Sequence, residues 1–150
     1  MTKMSLKGLT ALVLSIPLVI GVVLTGGCVT DETVTPETPT QIIEDITPQE
    51  ASTLIQDNQD NPDFIIIDVR TPEEFAEGYI ENAINIDFNS ETFRDELNQL
   101  DKNKSYLIYC RSGSRSGSAL DIMAELNFRE VYNISGGIIA WKAAGLPTTK

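Results

Sequence analysis

Residues 64–67, Phe-Ile-Ile-Ile, are a run of β-formers with no polar alternation, the pattern of a strand covered on both faces as in a parallel sheet. Residues 106–109, Tyr-Leu-Ile-Tyr, make a second apolar run, and residues 131–134 read as the last strand. Two shorter candidates are Ile42, Ile43 and Ile46 at the start of the folded part, and residues 83–87 in its middle. Between the strands the spacing turns helical. Thr47-Pro48-Gln49-Glu50 and Thr71-Pro72-Glu73-Glu74 are capping boxes with proline at the first helical position, and each opens a helix. The first runs to about Asp57 with Ala51, Leu54 and Ile55 on its core face, and the second is short. Phe93, Leu97 and Leu100 mark a third helix, and Ala119, Ile122, Met123 and Leu126 a fourth that Asn127 stops. Ile138, Ile139 and Trp141 belong to a fifth, capped by Ser135 and ended by Gly145 and Pro147, with Trp141 as ordinary core. Strands alternating with helices predict an α/β domain, a mainly parallel sheet of about five strands with helices on both faces. Sites in such sheets gather at the C-terminal ends of strands. Asp68, Arg70 and Cys110 all lie at such ends.

The 150 residues suffice for one domain with a proper core. Residues 1–27 hold Lys3 and Lys7 and no acid, which leaves 9 basic and 22 acidic groups, a net of −13, on the rest. That balance argues against nucleic acid as a partner, and an anionic small substrate could bind only at a local positive patch. Histidine is absent, which removes Cys-His, Ser-His and His-ligated metal mechanisms together.

The first 27 residues have the three-part layout of an export signal: Lys3 and Lys7, an uncharged apolar stretch at 9–24, then Thr25-Gly26-Gly27 before Cys28. These small residues resemble a lipobox, where bacterial-type lipoproteins are cleaved and the new N-terminal cysteine is lipidated, with Thr25 at the place usually held by leucine. An uncleaved anchor is an alternative, since residues 8–30 carry no charge and could just cross a bilayer core of ~30 Å; simple secretion is a third. All three place the domain outside the cytoplasm, at a periplasm or cell surface. Either membrane form leaves Cys110 as a free thiol in an oxidising compartment. Residues 28–41, rich in Thr, Pro and acid without apolar periodicity, read as a tether, and the folded domain as 42–150.

The chemistry concentrates in Cys110-Arg111-Ser112-Gly113-Ser114-Arg115-Ser116, between an apolar strand and a helix. A loop this rich in Ser and Gly can turn its N–H groups toward one point at the positive end of the following helix. A thiolate at that point, with Arg111 and Arg115 close in sequence, has its pKa lowered from about 8.5. Cys110 is therefore the candidate nucleophile, and residues 111–115 its anion cradle.

These residues resemble those of the single-domain rhodaneses, which are sulfurtransferases. The similar pieces are Asp68-Val69-Arg70, Glu74-Phe75, Gly78-Tyr79-Ile80, Ala83-Ile84-Asn85, the loop Cys110 to Arg115, Gly136-Gly137-Ile138-Ile139-Ala140-Trp141 and Gly145-Leu146-Pro147. The resemblance implies that Cys110 takes the outer sulfur of an anionic donor such as thiosulfate, becomes a persulfide, and passes that sulfur to a thiol or cyanide-like acceptor, with no cofactor and no metal. It also implies a supporting charged cluster of Asp68, Arg70 and Glu74, in which Arg70 pairs with Glu74 or Asp68. Two positions depart from the family pattern: Tyr79 stands where histidine is common, and Asn82 where glycine is. A low-pKa thiolate needs no general base, and sulfite needs no general acid to leave, so the chemistry suits a chain without histidine. Two other readings stay open. A cysteine phosphatase or arsenate reductase would use five residues between Cys and Arg, where this chain has four. A tethered persulfide carrier or protein-binding module would keep the same loop with little turnover.

Overall fold

The computed structural model describes residues 40–150; the export signal or anchor, Cys28 and the tether up to residue 39 lie outside the described residues. Five strands and five helices alternate among them: β1 (Ile42–Ile46), α1 (Pro48–Asp57), β2 (Phe64–Asp68), α2 (Pro72–Ala76), β3 (Ile84–Asn85), α3 (Phe93–Asn98), β4 (Ser105–Tyr109), α4 (Ser114–Glu125), β5 (Glu130–Ile134) and α5 (Gly137–Ala143). The strands form one sheet in the order β1-β5-β4-β2-β3, and every pairing is parallel. Among the described residues no helix is long and apolar enough to cross a membrane.

The two apolar runs become β2 and β4, paired in register from Phe64 with Ser105 to Asp68 with Tyr109. Alternation sends their side chains to two separate cores. Ile67, Ile108 and Cys110 pack with Phe93, Leu97, Ala119 and Met123 under α3 and α4. Ile66, Leu107 and Tyr109 pack with Ala51, Ile138 and Trp141 under α1 and α5. The result is a three-layer α/β/α unit whose middle strand, β4, leads directly into Cys110.

Both capping boxes form. Thr47 and Thr71 accept from the amides of Glu50 and Glu74, whose carboxylates accept in return from the threonine amides. Asn127, with φ of 63°, closes α4: its amide and that of Phe128 bond the carbonyls of Ala124 and Met123. Gln41, at the end of the tether read from sequence, is tied to the domain; its side-chain amide donates to the carbonyls of Ala124 and Phe128 at 3.1 and 2.8 Å. Trp141 is core, and its indole N–H donates to the carbonyl of Pro147.

Three local readings are corrected. The strand expected over 83–87 is two residues long, Ile84 and Asn85, because it meets only the last two residues of β2, Ile67 and Asp68. Ser135 does not cap α5; Gly136 holds that position at φ 75°, with no side-chain bond. A side chain is not needed there, because the amides of Ile138 and Ile139 are bound by the carbonyls of Cys110 and Arg111. Finally, α4 starts at Ser114, so Ser114 and Arg115 belong to its first turn rather than to the loop. Gly113, at φ 93°, lets the chain turn directly into the helix.

Candidate active site at the end of the central strand

Helix α4 begins without a side-chain cap, and its first free amides must find another acceptor. That acceptor is the sulfur of Cys110. The amide of Gly113 lies 3.2 Å from Sγ, and the hydroxyl of Ser116, wholly buried, lies 3.4 Å from it and 3.3 Å from the carbonyl of Gly113. The single hydroxyl hydrogen can serve either acceptor, and charge on sulfur draws it to Sγ. Burial raises the Cys110 pKa, but hydrogen bonds from the Ser116 hydroxyl and from the amides of Ser116, Ser112 and Gly113 outweigh it and hold the thiol below its ordinary range. Hydrogen bonds, more than arginine charge, do the lowering.

The loop is held from behind by α5. An ideal Cβ on Gly137 would sit 2.4 Å from the carbonyl oxygen of Cys110 and 2.7 Å from that of Arg111, so only glycine allows this approach. The same approach lets the amides of Ile138 and Ile139 reach those two carbonyls at 2.9 and 3.2 Å. With both carbonyls bound on the far side, the peptide units of the loop are fixed before any ligand arrives.

The charged residues fall into two groups, which the sequence had joined. Asp68 and Arg70, at 0 and 3 % exposure, pair with each other through Nε and Nη2, and Arg70 Nη2 also donates to the carbonyl of Gly78 at 2.8 Å. Burial works against the Arg70 charge, but the hydrogen bond and charge of Asp68 more than offset it, so its pKa is raised. Strand alternation sets this pair beside Tyr109, on the face opposite Cys110; the Arg70 guanidinium carbon is 5.9 Å from the Tyr109 ring centre. Asn85 donates to the carbonyls of Asp68 and Arg70, and the Tyr109 hydroxyl accepts from the amide of Ile80. The pair ties the end of β2 to the segment before β3. It does not meet the thiol.

Glu74 joins the other group. Its carboxylate takes the Arg115 guanidinium in a two-point contact, Nη1 to Oε2 at 2.7 Å and Nη2 to Oε1 at 2.9 Å. The Arg115 hydrogen bond holds the Glu74 carboxyl below the usual carboxylate range. Arg115 therefore faces α2 instead of pointing its fork at the sulfur. Arg111, Ser112 and Ser114 are exposed at the mouth, and Arg111 makes no ion pair among the described residues.

Tyr79 stacks on Phe75 at 4.1 Å between ring centres, and its backbone amide and carbonyl pair with those of Thr149. Asn82 adopts φ of 64°, which explains why glycine is the usual occupant of its place. The sequence reading omitted Ser116 from the site. Its position in the first turn of α4 was the available signal, since the third residue of a helix points amide and hydroxyl back toward the cap.

A thiol held by helix-end amides at the close of a parallel strand defines a cysteine-loop domain. Residues 47–144 match the Rhodanese-like domain family, and the chain belongs to it. A sulfurtransferase of Allochromatium vinosum is 36% identical over 98 residues, covering 65% of this chain and 90% of that protein. A tRNA uridine(34) hydroxylase of Yersinia pestis is 38% identical over 98 residues, but the match spans 27% of that protein. A rhodanese-like domain protein of Staphylococcus aureus has a TM-score of 0.58 and 34% identity, over 71% of this chain and 99% of that one. The similarity supports a rhodanese-type sulfurtransferase.

Proposed function

We propose that this protein moves sulfane sulfur from thiosulfate or a similar donor to a thiophilic acceptor through a persulfide on Cys110. The observation that carries the reading is the seat of Sγ: at the start of α4, with Gly113 N–H and Ser116 Oγ directed at it. The Cys110 thiolate attacks the outer sulfur of the donor. A new S–S bond forms on Cys110 as the donor's S–S bond breaks, and sulfite departs with the electron pair. The acceptor, a thiolate or cyanide, then attacks the outer sulfur of the persulfide and returns Cys110 to the thiolate. Preorganised donors stabilise charge on sulfur throughout, each worth ~2.7 to 4 kcal/mol of barrier in comparable sites.

Residues 111–115 form the mouth through which the donor arrives, and Asp68 and Arg70 brace the scaffold from the other face. A phosphatase reading has less support, because the loop is one residue short and Arg115 is turned to Glu74. We place the domain outside the cytoplasm, attached to the membrane through lipidated Cys28 or an uncleaved anchor, from the sequence of residues 1–28. The test is steady-state thiocyanate formation from saturating thiosulfate and cyanide. Repeated turnover that Cys110→Ser abolishes is expected; one equivalent per protein indicates a carrier instead, and Cys110-dependent aryl phosphate hydrolysis a phosphatase.

A further inference from the structure

An anionic donor meets a cradle whose two arginines are not equivalent. Arg115 is held at two points by Glu74, so the pair presents a dipole rather than a net positive charge. The same guanidinium also feels the negative charges of Cys110 and Asp87, so Arg115 stays within electrostatic reach of the sulfur with its charge already shared. Arg111 is left as the one mouth arginine without an ion pair among the described residues. Around it lies an acidic domain, with 9 basic and 19 acidic groups over residues 40–150. A dianion such as thiosulfate has one guanidinium to meet and a repelling surface to cross. An organic persulfide, R–S–S⁻, brings a single charge, which Arg111 alone can balance.

Resting on the sulfur-transfer reading above, we infer that Glu74 sets donor choice, by neutralising Arg115 beside the cradle so that a singly charged organic persulfide is taken in preference to thiosulfate. Glu74 is a positioning residue: it acts through Arg115 and is not among the atoms that touch sulfur. The step balances without a further reactant. Cys110 thiolate attacks the outer sulfur of R–S–S⁻, the new S–S bond forms as the donor's breaks, and R–S⁻ leaves with the electron pair.

Glu74→Gln is the discriminating variant, since glutamine can keep the capping box with Thr71 while losing the charge. The probes are thiosulfate and the persulfide of 2-mercaptoethanol. The wild-type protein is expected to show kcat/KM at least about tenfold higher for the persulfide, and a thiosulfate kcat/KM that rises with added salt as repulsion is screened. In Glu74→Gln the thiosulfate KM falls roughly three- to tenfold while the persulfide KM stays in place. A wild-type preference for thiosulfate, or a thiosulfate rate that falls with salt, overturns the inference without any variant. Equal changes for both donors in Glu74→Gln overturn it too, as a merely structural role for Glu74. If neither donor adds sulfur to Cys110, the sulfur-transfer reading fails as well; sulfur gained from both donors without preference removes only the role of Glu74.

Discussion

Gly137 and Cys110, 27 positions apart in sequence, approach so closely that a methyl group on the glycine would stand 2.4 Å from the cysteine carbonyl oxygen. That approach makes α5 the back wall of the cysteine loop, and the amides of Ile138 and Ile139 its two fastenings. Gly137 also has φ of 58°, a left-handed conformation that a side chain disfavours.

Gly137→Ala should therefore cost stability and activity together. Overlap with backbone and left-handed strain amount to roughly 2 to 5 kcal/mol, a fall of about 10 °C or more in Tm. Calorimetry and the turnover assay check this. An unchanged Tm would mean that α5 and the loop are not in contact in solution.

Ser116→Ala removes a buried donor to Sγ but little volume. The pH dependence of Cys110 alkylation should move upward, because the hydroxyl favours the thiolate and the remaining burial opposes it. Sulfur transfer should fall by about tenfold or more at neutral pH. Ser116→Thr keeps the hydroxyl and should recover part of the loss. An alkylation profile that stays put in Ser116→Ala would assign the lowering to other groups.

Arg70→Met leaves Asp68 buried without its partner, and breaking such a pair costs about 3 to 5 kcal/mol. Chemical denaturation should show that loss. Because the pair lies on the sheet face away from the thiol, the alkylation profile of the folded variant should match the wild type. A shift in that profile with little loss of stability would move Arg70 into the active site.

The fold was legible in the sequence because its cues are local. Two Thr-Pro-x-Glu boxes, two unbroken apolar runs and one cysteine between strand and helix each specify structure within a few residues. What escaped depends on chain segments far apart. Glu74 stands four residues from Arg70 and forty-one from Arg115, yet takes the distant arginine, because Arg70 turns to the other face of the sheet with Asp68. Ser135 looked like a cap because Ser caps helices; the carbonyls that make it unnecessary come from residues 110 and 111. Ser116 lies one residue beyond the cradle read from the sequence, and only the closing of the loop sets its hydroxyl against Sγ.

Acid should weaken the contact between Glu74 and Arg115 in a defined window. The fold holds the Glu74 carboxyl below its ordinary value of about 4.3, so the unfolded chain takes up that proton first. The contribution is present above this value and is lost as pH falls through the lower folded value. The Tm gap between wild type and Glu74→Gln should be steady from neutrality to about pH 5 and close on further acidification. A gap that widens toward acid contradicts the pairing.

The most direct measurement is the intact mass of the purified domain after exposure to thiosulfate or to 2-mercaptoethanol persulfide. The expected result is a gain of one sulfur atom that cyanide or excess thiol removes and that Cys110→Ser abolishes. A protein that gains no sulfur from either donor, or gains it equally in Cys110→Ser, contradicts a persulfide on Cys110.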